Sequence, residues 1–336
     1  MRSTRPFTEI SHVASPKPTT LPDMSYRFRQ PDQLAVEVRR VATDRLEHAL
    51  AQLNEDLGAD PAKAVHGARK DLKKTRSLLR LTRESLGEDR YRAENDRLRE
   101  AAHLLAGARE ADAKVESLAS LIDHAGAGMS ELAATEAQAW LTALRSQTSA
   151  RSDVGEAASG AAAVIAKVRD DARLWGLGYG SFEIVGPGLR RTYRQGRRLM
   201  AEAIDDPSDE TVHEWRKRVK DMWYSMRLLG EVWPPVIRPI ADQAHELSEL
   251  LGDHHDLGEV RVAISSGESG VLPEAQTELH DLTLARQAEL HEAAISLGRR
   301  FYAERPGRYV ERLEGLWKAW EEDFSQQIGQ LGLPSS

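Results

Sequence analysis

The chain has 336 residues, 40% hydrophobic and 29% charged, with no cysteine, which excludes a disordered chain, a disulfide scaffold and thiolate metal sites. The net charge of −7 argues against a general nucleic-acid binder. The length suggests two core-forming units, and the absence of a membrane-length apolar run or a hydrophobic signal region leads us to expect a cytoplasmic location.

Residues 1–23 place Pro6, Pro16, Pro18 and Pro22 among many Ser and Thr, and read as a disordered tail, with Met24 as an alternative start. A long helix follows from Pro31 to about Leu57, with Leu34, Val38, Val41, Leu46, Leu50 and Leu53 on its apolar stripe. Arg39 and Arg40 lie in it. Gly58 and Pro61 end it and set up the next helix, which carries VHGARKDLKKTRSLLRLTR from Val65 to Arg83.

At 100° per residue that helix has two faces. Val65, Ala68, Leu72, Thr75, Leu79 and Leu86 form an apolar stripe. His66, Arg69, Lys73, Arg76, Arg80 and Arg83 form a second, flanked by Lys70. Its cationic heads run for roughly 25 Å. Like charges one turn apart destabilise a helix by a few tenths of a kcal/mol per pair. Folding alone would have mixed in acids, yet Asp71 is the one acid from Lys63 to Arg83. The pattern points to an anion.

Gly87 ends this helix. Tyr91 to Asp123 reads as helical with a break near Gly107, Gly126 and Gly128 mark a turn, and Glu131 to Arg145 and Ala157 to Trp175 are helices. The segment GLGYGSFEIVGPG, residues 176–188, is rich in glycine and reads as a linker between a first half, 24–175, and a second, 189–330. A helix starts at Leu189, with Arg190, Arg194 and Arg197 on one face and Arg191 and Arg198 at its edge. Another starts after Pro207. Behind Pro234 and Pro235 a helix runs through Leu251, followed by two more at about 272–298 and 306–328. Strand-type alternation is nearly absent, so the fold is expected to be all-α.

The basic helix occurs twice. Val212 to Leu229 reads VHEWRKRVKDMWYSMRLL. His66, Arg69, Lys70, Lys73 and Arg80 correspond to His213, Arg216, Lys217, Lys220 and Arg227 at an offset of 147 residues. One H-x-x-R-K-x-x-K is a weak signal, whereas two copies running into apolar helices mark an internal duplication. Residues 63–83 hold 8 basic residues and 1 acidic, 190–198 hold 5 and 0, and 212–229 hold 5 and 2, which leaves 28 basic against 50 acidic elsewhere. Basic helices are set into an acidic body, which suits a focused anion site.

The duplicated motif, the LRR…GRR helix that opens the second half, the LLGDHHDL segment and the Tyr26-Arg27-Phe28 start together resemble the CHAD family, the conserved histidine α-helical domain, over about Tyr26 to Phe324. The resemblance implies two four-helix bundles related by a pseudo-twofold axis, with a basic groove or pore between them. It also implies inorganic polyphosphate as the partner, without catalysis or cofactor, and a location at polyphosphate granules. Its ligands on the first half are His66, Arg69, Lys70, Lys73, Arg76 and Arg80. On the second they are Arg190, Arg191, Arg194, Arg197, Arg198, His213, Arg216, Lys217, Lys220 and Arg227. Where the first copy has Arg76 the second has Trp223, so the pore is expected to be asymmetric.

Other readings stand beside these. His66 and His213 could be core histidines, but their duplicated basic setting favours an anion-facing role and disfavours a metal. Those neighbouring cations should lower the pKa of each. His254, His255 and Asp256, near His245, have the composition of a metal site, but Gly252 reads as a helix end and Asp256 as the next cap. Trp215, Trp223, Trp233, Trp317 and Trp320 read as core contacts, and Arg299, Arg300, Arg305 and Arg308 form a cluster of open role. No phosphate loop or catalytic constellation stands out. The rivals are a metal- or histidine-dependent phosphohydrolase and a nucleic-acid or protein adaptor. Nucleic acid is disfavoured because the first stripe has no aromatic residue for bases to stack on.

Overall fold

The structure is a computed structural model that describes residues 26–106, 110–149, 155–178 and 180–330. The N-terminal tail and the break near Gly107 fall outside those residues. As expected, the protein is all-α: the described residues contain helices and connecting turns and no strand. None of these helices is long and apolar enough to cross a membrane.

The helices are α1 (Leu34–Ala51), α2 (Pro61–Leu81), α3 (Arg83–Leu86), α4 (Glu88–Leu104), α5 (Glu110–Ala125), α6 (Glu131–Ser149), α7 (Gly155–Ala172), α8 (Gly186–Asp205), α9 (Asp209–Leu228), α10 (Pro234–Ser265), α11 (Pro273–Phe301) and α12 (Pro306–Gln330). The duplicated helices are α2 and α9, and both start on a side-chain cap. Asp60 accepts from Lys63 N at 3.0 Å, with Pro61 as the first helical residue. Ser208 accepts from Thr211 N at 3.3 Å, with Asp209 and Glu210 in the first turn, where the helix dipole favours acids. The apolar stripe of α2 is buried at Val65, Ala68, Leu72, Thr75 and Leu79.

The helices close into three four-membered circuits. The first joins α1, α2, α4 and α7, and the second joins α8, α9, α10 and α11. The third joins α5 and α6 to α10 and α11, around Leu118, Trp140, Leu141, Val260, Ile264 and Leu279. The resemblance implies two bundles, whereas here a hairpin from the first half of the chain is packed on helices of the second. α2 crosses both α8 and α9. Residues Tyr26–Gln30 bridge the halves: Phe28 N donates to Leu228 O at 2.9 Å and Tyr26 meets Tyr224 edge-on, while the Tyr26 hydroxyl donates to Lys74 O at 3.1 Å.

The glycine-rich joint is packed. Leu177, Phe182, Ile184 and Val185 are buried, and α8 begins three residues earlier than Leu189, at Gly186. The reason is a close approach: a Cβ on Gly188 would lie 1.9 Å from Leu81 O, so only glycine lets α8 cross the end of α2 there. Gly252 is likewise no helix end. α10 runs unbroken through LLGDHHDL, because Gly252 and Gly258 provide clearance for Arg216 and Asp209 of α9. Of the five tryptophans expected as core contacts, Trp215 and Trp317 are buried, Trp223 and Trp320 are partly buried against the core, and Trp233 is exposed.

Candidate functional site

The crossing of α2, α8 and α9 gathers buried charge from both copies of the motif. On α2, Asp71 is buried, with Lys74 Nζ at 3.2 Å, Arg45 Nη1 at 3.3 Å and His48 Nδ1 at 2.6 Å. On α9, Asp221 is buried, with Arg218 Nη1 at 3.0 Å and Arg80 Nε of α2 at 3.3 Å. At the offset of 147, Asp71 corresponds to Arg218 and Lys74 to Asp221. Each copy therefore holds an ion pair one turn apart, in opposite order.

Five arginines gather at this junction: Arg76, Arg80, Arg191 and Arg218 lie near Asp221, and Arg83 lies near Arg191. Arg80 Nη1 donates to Arg76 O at 3.1 Å, and Arg76 Nε to Asn95 Oδ1 at 3.1 Å. Arg191 donates to Arg80 O and pairs with Glu84. Arg83 grips Glu88 at 2.6 and 2.8 Å and lies over the Tyr91 ring at 4.8 Å. Among the described residues, the carboxylates bonded to these five guanidiniums are Asp221, Glu84 and Glu88. The surplus of positive charge adds to burial in lowering two of these guanidiniums. Burial first, then Arg83 and Arg218, pushes Arg191 down to about 10. Burial and then Arg80 lower Arg76. Burial is the larger cause for both, and the neighbouring guanidiniums add to it, so an approaching anion would offset part of the cost of holding these cations together.

The other predicted residues spread outward from this junction. Arg190 and Arg194 are exposed and, with Arg191, line a cleft of about 530 Å³ that also holds Glu84, Glu183 and Glu314. His66, Lys70 and Lys73 are exposed on α2, and Lys217 is exposed on α9, paired with Glu214. Lys220 is half-buried. Arg227 lies between the Tyr26 and Trp223 rings, 5.6 and 5.7 Å from their centres. Arg197 and Arg198 turn to other partners, the Glu304 carbonyl at 3.3 Å and Glu202 at 2.9 Å.

The duplication is visible in contacts as well as in sequence. Arg69 Nη1 donates to Leu105 O at 2.6 Å, and its counterpart Arg216 lies against Gly252, one residue past the position that matches Leu105 when LLAGAREADAKV (104–115) is aligned with LLGDHHDLGEV (250–260). His213 meets the His255 ring with centres 4.3 Å apart. Its pKa is lowered to about 4, by burial first and then by His255, Lys217 and Arg216. The direction is the one expected, but desolvation outweighs the cations.

The histidine group of α10 separates to three neighbours. His245 stacks flat on Trp223 at 4.2 Å, and His255 meets His213. His254 is buried with Nδ1 4.0 Å from Asp209 Oδ1, and Asp209 itself takes Arg261 at 2.5 Å and Gln287 at 2.9 Å. No group of three or more His, Asp or Glu among the described residues is arranged to hold a metal.

Sequence reasoning carried neither Arg218 nor Arg83 into the site. Arg218 stands where the first copy has Asp71, so an alignment of like with like passes over it. Arg83 has no cationic counterpart, since Gly230 occupies that position in the second copy.

A family model described as CHAD domain matches residues 31–263. No curated protein and no solved structure matches the chain.

Proposed function

The chain belongs to the CHAD family, and from that premise and its arginine junction we propose that it binds inorganic polyphosphate and does not turn it over. The observation that carries this reading is the convergence of Arg76, Arg80, Arg83, Arg191 and Arg218, from four helices, with fewer carboxylates bonded to them than guanidiniums. Polyphosphate carries about one charge per phosphate and has no bases, so it calls for aligned guanidiniums, each able to engage two oxygens, and for lysines as point charges. The exposed residues His66, Lys70 and Lys73 extend the junction along α2, and Lys217 and Lys220 extend it along α9. A nucleic acid would add stacking on aromatic rings. Trp223, the one aromatic residue aligned with the basic stripe, is already stacked on His245 and Tyr224.

The test is a titration of the whole chain with polyphosphates of several lengths at two salt concentrations. Affinity is expected to rise with length and to fall steeply with salt, because neutralised phosphates release condensed counterions. No binding, or binding that salt leaves unchanged, overturns the reading. Orthophosphate release on adding a divalent metal would instead mark a phosphohydrolase. Equal competition by RNA would mark a general polyanion binder.

A further inference from the structure

Beyond the arginine junction, the facing sides of α9 and α10 hold a second cluster. His213 and Arg216 stand one turn apart on α9, and both face α10. His213 meets the ring of His255 at 4.3 Å between centres, tilted by 41°. Arg216 lies against Gly252, where a Cβ would come within 2.7 Å of Nη2, so the missing side chain is what lets the guanidinium settle there. His213 Nδ1 and Arg216 Nε are both buried, and neither has a hydrogen-bond partner in the fold. A buried polar atom without a partner is destabilising by about 1–3 kcal/mol, and folded proteins rarely leave two together without a use.

We propose that His255 of α10 completes, with His213 and Arg216 of α9, a subsite for one phosphoryl group, and that His255 is a direct ligand contact. This rests on the polyphosphate reading above and adds to it a residue outside the duplicated motif. The chemistry selects an oxyanion. The charged groups facing His213 are Glu214, Arg216 and Lys217 from α9, with His255 across from it on α10, so cations outnumber the single carboxylate and a metal ion is repelled. An imidazole N–H and a guanidinium N–H can both donate to one phosphoryl group, and both histidines can donate once protonated.

Proton uptake follows from the same geometry. In the empty site His213 is neutral at pH 7, since burial and its neighbours hold its pKa at about 4. A bound phosphoryl group places negative charge beside it and raises that pKa. The bound state then holds more protons than the free state between the two values, so affinity rises as pH falls through that window. One proton taken up gives a slope of at most about tenfold in affinity per pH unit.

The test uses the full chain with linear tripolyphosphate and a long-chain polyphosphate, titrated calorimetrically from about pH 5 to 7.5, a range that brackets the ordinary histidine value. Wild type should bind more tightly as pH falls. His255→Gln should bind about ten- to a hundredfold more weakly at the acid end, the loss of one hydrogen bond to a charged group, and should show a flatter profile. Helical circular dichroism checks that the variant is folded. Nitrogen NMR of the imidazoles in wild type needs no variant, and the His213 and His255 signals should move on adding tripolyphosphate. Binding to wild type without movement of those signals overturns the subsite and leaves the polyphosphate reading standing, and so does a folded His255→Gln with unchanged affinity and slope. Failure of wild type to bind any polyphosphate at any pH overturns both.

Discussion

The two copies of the basic helix share a scaffold and differ in where their acid points. On α2 the acid precedes the cation, Asp71 before Lys74, and the carboxylate is held within its own half by Arg45 and His48 of α1. On α9 the order is reversed, Arg218 before Asp221, and the carboxylate reaches across to Arg80 of α2. The first copy therefore turns its one acid inward and leaves its outer stripe cationic. The second copy uses its acid to hold the first copy in place. A swap of charge order within a duplicated helix has turned two equivalent surfaces into complementary ones. The copies also differ where Arg76 corresponds to Trp223, which interrupts the second stripe between Lys220 and Arg227 and makes it more aromatic.

The sharpest way to break this comparison is to remove each acid. Asp71→Ala strands Arg45 and Lys74, whose side chains are 6% and 4% exposed, and breaking a buried pair in this way should destabilise the fold by about 3–5 kcal/mol. Asp221→Ala strands Arg80 and Arg218, which are wetter at 19% each, so its effect should be smaller, about 3 kcal/mol or less. Urea denaturation measures both, and equal losses would mean that the two carboxylates do the same job. The second test reverses charge on both stripes at once. Lys73→Glu with Lys220→Glu should weaken polyphosphate binding by about a hundredfold or more, on the scale of two lost charge-assisted contacts. Unchanged affinity in the folded double variant would separate the stripes from the ligand.

Acid separates the copies next. His213 and His254 both have pKa values lowered to about 4, chiefly by burial, and both sit in the second half of the chain. The unfolded chain binds their protons near pH 6.5, whereas the folded chain resists until about pH 4. Their contribution to stability is therefore full above about pH 6.5 and is lost as pH falls from there toward 4. Denaturation midpoints measured across that range should fall, and His254→Gln should flatten the decline. A level midpoint would mean that these rings are already charged or well solvated. The smallest expected effect sharpens the comparison by undoing it. Trp223→Arg restores the cation that the first copy keeps, and should raise polyphosphate affinity by a few-fold and steepen the logarithmic salt slope by about one unit at most. A loss of affinity would show that the ring packed against His245 matters more than the charge.

Much of this was readable in the residues. Periodicity locates most helices to within a few residues, although α10 continues to Ser265 instead of stopping at Leu251, and the offset of 147 pairs Arg69 with Arg216, which reach Leu105 and Gly252 in turn. What could not be read depends on distance between helices. A glycine that ends a helix and a glycine that admits a neighbour's guanidinium are the same letter, and Gly252 is the second kind. Arg218 is hidden because it answers to an acid in the other copy, and its meaning comes from Arg80 on another helix. The packing of α5 and α6 on α10 and α11 has no local signature either, since an apolar face does not state which face will cover it.

That hairpin has a consequence for the order in which the chain can be made. Synthesis runs from the N-terminus, and earlier segments fold while later ones are still being added. When α7 is complete, the first circuit has all four of its helices, yet Leu118, Ala137, Trp140 and Leu141 of the hairpin still await Val260, Ile264 and Leu279. At about 5–20 residues per second, the apolar side of the hairpin stays uncovered on the ribosome for several seconds or more. The nascent first half is thus an intermediate with a sticky arm, and α10 and α11, which emerge much later, are the helices that sheathe it.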